Sequence, residues 1–297
     1  MEAPPVEEMP KDVDQTWAEM DALKSQLEET EAKLAESVDA YLAAANLPEI
    51  NGEIVAVIAP HAGHIYSGPV AGHAFASLRG YSPDLVAVIS PMHQPYHQPL
   101  LTSAHTAYQT PLGTIPVAQE AVAQLDESLH TSLGFGLDAV RADREHALEI
   151  ELPFLQRVLS GPFDLLPVMV REQNPRVLQI LGQALAQILK GRTALLVAST
   201  DLSHFYPQKL ANQFDQEMLR RIAAFDPLAV LQAEEQGQAF ACGRGAVAAV
   251  LWAARDLGAD SVTIVNYATS GDISGDYSQV VGYGAAIITK EAGTSSG

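Results

Sequence analysis

The apolar positions of this chain fall into short unbroken runs, each closed by polar or turn-forming residues. Residues 54–59 read Ile-Val-Ala-Val-Ile-Ala and run into Pro60, His61, Ala62 and Gly63. Residues 85–90, 163–170 and 193–198 repeat the design. A run without alternation reads as a strand buried on both faces, as in a parallel sheet covered by helices. Between the runs the pattern lengthens to a helical period, which predicts helices over 70–78, 119–128, 145–159, 175–189, 210–223, 227–236 and from about 245 to 257. Pro175 suits a helix entry. Pro153 falls inside its predicted helix and should kink it. Residues 99–117 read as short strands with a turn at 111–113. Residues 261–268 and 280–289 read as strands joined by a loop of Gly, Ser and Asp. This alternation predicts an α/β fold, a central mostly parallel or mixed sheet sandwiched by helices, in one domain over 47–290.

Ahead of that domain the pattern changes. Met20, Leu27, Leu34 and Tyr41 recur every seven residues, which predicts an acidic amphipathic helix over 13–46. It either docks on its own domain or contacts another molecule. Residues 1–12, with three prolines among acids, predict a disordered segment; residues 291–297 predict a flexible tail.

Composition adds constraints. The net charge is −19, from 36 acids and 17 bases, and residues 1–40 hold twelve acids against three lysines. Such acidity opposes nucleic-acid binding, which needs a basic footprint. A single Cys fits a reducing compartment and allows no internal disulfide. There is no basic-apolar leader and no apolar run of membrane-spanning length, so the expectation is a cytoplasmic protein without membrane contact. No phosphate-binding Gly-rich loop is present, so no nucleotide cofactor is expected.

The candidate chemistry sits where strands end. His61, His93 and His204 each open a loop after a buried run, and ligands in such folds bind at the carboxyl ends of the strands. Cys242, between Ala241 and Gly243-Arg244-Gly245, precedes a predicted helix. Imidazole and thiolate are good ligands for first-row transition metals, and a helix start with Arg244 would favour the thiolate. Each residue also has an ordinary reading: a loop His as a hydrogen-bonding surface group, a lone Cys as an apolar filler. Asp201 and His204 form a candidate carboxylate–imidazole pair, although Asp201 would serve equally as a helix cap. Glu145-His146 reads as a helix start, with His146 a candidate for the same cleft. His64 is a cleft-lining residue at best. Asp272 suits either a turn or a substrate contact. A Cys242 nucleophile with His204 as base and Asp201 as orienter stands as a metal-free alternative, and a non-catalytic module that binds a peptide or partner in the cleft stands as another.

The ordered set is specific. Pro60-His61-Ala62-Gly63, Ser90-Pro91-Met92-His93, Glu145-His146 with Glu149 and Leu152-Pro153, Ser199-Thr200-Asp201 with His204, and Cys242-Gly243-Arg244 together resemble the Memo family, also called AmmeMemoRadiSam system protein B. The resemblance covers roughly residues 30–290. It implies a three-layer fold similar to LigB-type class III extradiol dioxygenases, which hold non-haem iron with two His and one Glu; in the Memo family a Cys takes the Glu position. Carried over, His61, His93 and Cys242 would be ligands to one iron(II) or copper ion. His204 would be the acid/base group beside Asp201, and redox or oxygenase-like chemistry would follow. The family also implies a small-molecule or peptide ligand, with a radical-SAM enzyme and an AMMECR-type protein as partners. Members usually begin with a glycine-containing aromatic motif and Tyr-Pro. Acidic, helical residues 1–29 stand there instead, which predicts a more open cleft.

Overall fold

The computed structural model describes residues 12–291, with side chains from residue 24 onward except at 25. The disorder predicted for 1–12 and most of the predicted tail lie outside the described residues, as does the side chain of Met20. In chain order the elements are α1 (Asp12–Ala44), β1 (Glu53–Ala59), α2 (His64–Ala76), β2 (Leu85–Pro91), β3 (Leu100–Ser103), β4 (Ala107–Thr110), β5 (Gly113–Pro116), α3 (Gln119–Leu133) and β6 (Asp138–Val140). A 3-10 turn (Glu149–Glu151), α4 (Leu152–Val158), β7 (Asp164–Val170), α5 (Pro175–Leu189), β8 (Ala194–Ser199) and β9 (His204–Tyr206) follow. The chain continues through α6 (Gln208–Ala223), α7 (Pro227–Glu235), α8 (Arg244–Asp256), β10 (Ser261–Thr269), α9 (Gly271–Ser274) and β11 (Val280–Lys290).

The main sheet has the order β10-β11-β1-β8-β2-β7-β3-β6. Its centre is parallel, β1 to β8, β8 to β2 and β2 to β7, while β11 inserts antiparallel between β10 and β1. The unbroken apolar runs are thereby explained. In β1, Ala56 and Ile58 face one core with α3, α5, α6, α7 and α8. Val57 and Ala59 face a second core with α1, α2 and α4. Both faces of the central strands are dry, so both sets of side chains are apolar.

The layering also sets a topological switch point at the carboxyl edge of the sheet, the usual place for a crevice in such folds. From β1 the chain leaves into α2 on one face, whereas from the neighbouring β8 it leaves through β9 into α6 on the other face. Adjacent strands whose connections depart to opposite sides part at their carboxyl ends, and ligands bind in such a gap. His61, Asp201 and His93 follow directly on β1, β8 and β2.

The helix predicted over 145–159 is shorter and unkinked. Helical structure starts at Glu149, and Pro153 sits in the first turn of α4, where a missing N–H does no harm. Residues before it are held by the Glu145 carboxylate, which accepts from the backbone N–H groups of His146 and Ala147 at 2.9 and 3.0 Å. Helix α2 begins six residues before the predicted start and contains Pro69. The loop expected at His204 is the short strand β9, paired with β11. No helix among the described residues is long and apolar enough to cross a membrane.

Among its described side chains, helix α1 seats those of its second half. Val38 and Leu42 are buried in the α2–α4 core, and Leu34 and Tyr41 pack against it, while Leu27 is 56% exposed. Tyr41 lies against Gly68 and Gly72 of α2. A Cβ at Gly72 would stand 2.6 Å from the Tyr41 carbonyl oxygen.

Candidate metal centre

Strand β1 delivers His61 into the crevice with 3% exposure. Its backbone N–H donates to Asp201 Oδ1 at 2.9 Å. Its ring Nδ1 lies 2.8 Å from Ser199 Oγ, and its Nε2 lies 3.3 Å from Cys242 Sγ. Burial, then the neighbouring His93 charge, push its pKa down to about 3. At neutral pH the ring is therefore an uncharged imidazole with one lone pair, the form that binds metals.

His93 extends from β2, its ring 5.6 Å from that of His61. Its backbone N–H donates to Glu145 Oε2 at 2.5 Å, and its Nδ1 lies 3.1 Å from both Glu145 oxygens. An ionised carboxylate only accepts, so Nδ1 carries the proton and Nε2 keeps its lone pair. Burial alone would raise the Glu145 pKa. The hydrogen bonds from the His93 ring and from the N–H groups of His93 and Ala147 outweigh it and hold the carboxyl at about 2. The same bond raises the pKa of His93.

Cys242 ends the loop before α8. Its Sγ accepts from the Asp201 N–H at 3.3 Å and lies 3.6 Å from the Asp201 carbonyl oxygen. Burial, then the Asp201 carboxylate, push the thiol pKa upward. The help expected from Arg244 is absent, because that guanidinium pairs with Glu234. A Cβ on Gly243 would meet the Ser199 carbonyl at 2.2 Å, so glycine is what lets Cys242 approach β8. One donor atom each from His61, His93 and Cys242 lies within 4.8 Å of the others.

The remaining predicted residues divide. His146 joins the crevice, its ring 6.5 Å from that of His61 and mostly exposed. His204 and His146 are both close enough for their charge to act on His61. The Asp201–His204 hydrogen bond expected from their spacing is absent. Nδ1 of His204 donates to the Leu202 carbonyl at 2.8 Å instead, which leaves its Nε2 as the free acceptor. Asp201 turns to His61, and burial raises its pKa against the opposing His204 charge. His64 leaves the group, with Nε2 bonded to the Ile150 carbonyl at 2.9 Å and its ring on Phe154. Asp272 accepts from the Thr269 N–H at 2.8 Å, the turn role rather than a contact with the cluster.

Sequence reasoning missed Glu151 and the part played by Ser199. Glu151 is wholly buried and bonded to Ser199 Oγ. A carboxyl among Ile150, Leu152, Phe154 and Leu155 is a signal for a buried acid, because charged groups avoid such sites unless paired or neutral.

An α/β domain with two imidazoles and a thiol converging at the carboxyl edge of its sheet belongs to a class able to hold one soft or borderline metal ion. The sequence pattern of the Memo family, Memo-like protein, matches residues 24–287. The chain is 35% identical to a MEMO1 family protein of Nitrosopumilus maritimus, over 79% of this chain and 84% of that protein. It is 38% identical to one of Thermotoga neapolitana, over 79% and 83% respectively. This chain belongs to the Memo family. Its fold is also that of uncharacterized protein JW3007 of Escherichia coli K12, with a TM-score of 0.52 at 11% identity, covering 79% of this chain and all of that one.

Proposed function

We propose that this protein holds one transition-metal ion, iron(II) or copper, through His61 Nε2, His93 Nε2 and Cys242 Sγ. On this reading it carries out metal-dependent redox chemistry on a small-molecule or peptide ligand in the crevice. The observation that carries the reading is the convergence of three donors of matched chemistry within 4.8 Å. The donor set fits such an ion: both imidazoles have a ring nitrogen directed to Ser199 or Glu145, which leaves the other for coordination. When bound, the ion would supply a redox-active centre with open positions for a ligand.

The protein's own groups do the rest. Glu145 fixes the His93 ring and supplies negative charge beside it. Asp201 holds the His61 backbone in place. His204 presents Nε2 to the crevice and moves a proton there as acid or base. His146, on the exposed side, contacts the incoming ligand. A metal-free Cys nucleophile fits less well, because the thiol lies against His61 rather than His204 and its burial opposes ionisation. Anaerobic purification and elemental analysis test the reading. Wild type is expected to carry up to one iron or copper per chain and Cys242→Ala far less; equal content in both would remove the ligand set.

A further inference from the structure

Three groups crowd one buried hydroxyl. Ser199 Oγ lies 2.7 Å from the Ala147 carbonyl oxygen, 2.7 Å from Glu151 Oε1 and 2.8 Å from His61 Nδ1. A hydroxyl has one hydrogen to give and two lone pairs to receive. The Ala147 carbonyl can only accept, so it takes the Ser199 hydrogen. The two remaining partners must then both donate. For His61 this means that Nδ1 bears the ring proton. For Glu151 it means that Oε1 bears a hydrogen, so the side chain is a neutral carboxylic acid. The opposite arrangement, with Ser199 donating to an ionised Glu151, leaves two oxygens with no hydrogen between them at 2.7 Å.

The surroundings of Glu151 agree. It is 0% exposed, and its Oε2 has no hydrogen-bond partner among the described residues. No Lys or Arg side chain pairs with it among those residues. An ionised carboxylate left so would bear a large desolvation penalty, whereas a neutral acid leaves only a carbonyl oxygen unpaired. Burial raises its pKa well above the ordinary value, and the Asp201 charge pushes the same way.

We propose that Glu151 is a neutral, proton-donating positioning residue which, through Ser199, locks His61 in the Nδ1–H tautomer with the Nε2 lone pair turned to Cys242. Only the effect on metal uptake rests on the metal centre proposed above. The tautomer and the protonated acid are properties of the metal-free chain.

Glu151→Gln and Glu151→Leu test the assignment. The amide of Gln is neutral and still donates to Ser199; Leu does not donate. The infrared difference spectrum between metal-free wild type and Glu151→Gln at neutral pH is expected to lose a protonated-carboxyl C=O stretch. Nitrogen-15 NMR, assigned with His61→Gln, is expected to report Nδ1–H and a bare Nε2 for His61 in wild type and in Glu151→Gln. Anaerobic Fe(II) titration is expected to give Glu151→Gln an affinity within about threefold of wild type, since one donor is kept. For Glu151→Leu it is expected to fall roughly tenfold or more. Loss of a carboxylate stretch instead, an Nε2–H tautomer in wild type, or Glu151→Gln binding as weakly as Glu151→Leu would overturn the proposal. If Glu151→Leu does not fold, the two spectroscopic readouts decide alone. Absence of Fe(II) uptake by wild type would count against iron at the proposed centre, and the metal-free spectra would still decide the role of Glu151.

Discussion

Glu145 does more at the scale of single residues than its place in the sequence announces. A Glu before a His reads as a helix start, yet the carboxylate is buried and accepts from the His93 ring and three backbone N–H groups. Pattern shows that an acid is present; only the loop path shows that it meets a side chain 52 residues away. Glu145→Gln removes the charge that steadies His93, and metal affinity should fall by about 10–100-fold in a chelator-competition titration. The variant should also change acid sensitivity. The folded Glu145 pKa, about 2, lies below its ordinary 4.5, so its stabilisation is present above about pH 4.5 and is lost as pH falls toward 2. The raised His93 value acts in the other direction, giving stability below its ordinary 6.5 that is lost as pH rises through the folded value. Denaturant midpoints of metal-free wild type should therefore peak between about pH 4.5 and 6.5 relative to Glu145→Gln, and a constant difference across pH would refute the linkage. The three side chains that converge were legible in the sequence as a group, because each follows a buried strand or precedes a helix. Ser199 and Glu151 were not legible as a pair, because their contact depends on the 3-10 turn at Glu149–Glu151 meeting the end of β8, 48 residues away.

Elements were legible where one signal dominated. The central strands stand out because burial on both faces leaves no polar position to blur the run. Strand β9 does not, since three residues carry too little pattern and its pairing with β11 is set by the distant chain. Helix α2, expected from residue 70, starts instead at His64 and runs through Pro69, and its Gly68 and Gly72 admit Tyr41. That contact gives a test at the level of the helix pair. Alanine has the better helix propensity by roughly 1 kcal/mol. At Gly72 its Cβ would stand 2.6 Å from backbone that cannot swing aside. Gly72→Ala should destabilise the protein by about 1–3 kcal/mol in denaturant unfolding, because overpacking wins over propensity. An unchanged midpoint would mean that α1 can shift on α2 at little cost. The exposed bidentate pair of Arg157 with Asp39, at 2.8 and 2.5 Å, adds only about 1 kcal/mol or less to that seating.

For the molecule as a whole, the alternation of runs and helical stretches was enough to indicate three layers and a mixed sheet. The strand order was not, because nothing local says that residues 280–290 lie beside residues 53–59. That placement has a consequence for how the protein is made. Strand β1, already beside β8, completes its other edge only against β11, more than 200 residues later, and β11 also carries β9 and β10. Pairings so distant in sequence are slow to form, and exposed strand edges invite association meanwhile. While the ribosome has yet to release β11, β1 has an open edge in the middle of the future sheet. Nascent chains arrested before residue 280 should remain sensitive to protease throughout the α/β domain, and release of the full chain should convert them to the resistant form in one step. Early resistance of the first half would show that the inner strands close without their last neighbour. Folding of this domain then waits for β11, and until it arrives the cell must keep a half-built sheet apart from its copies.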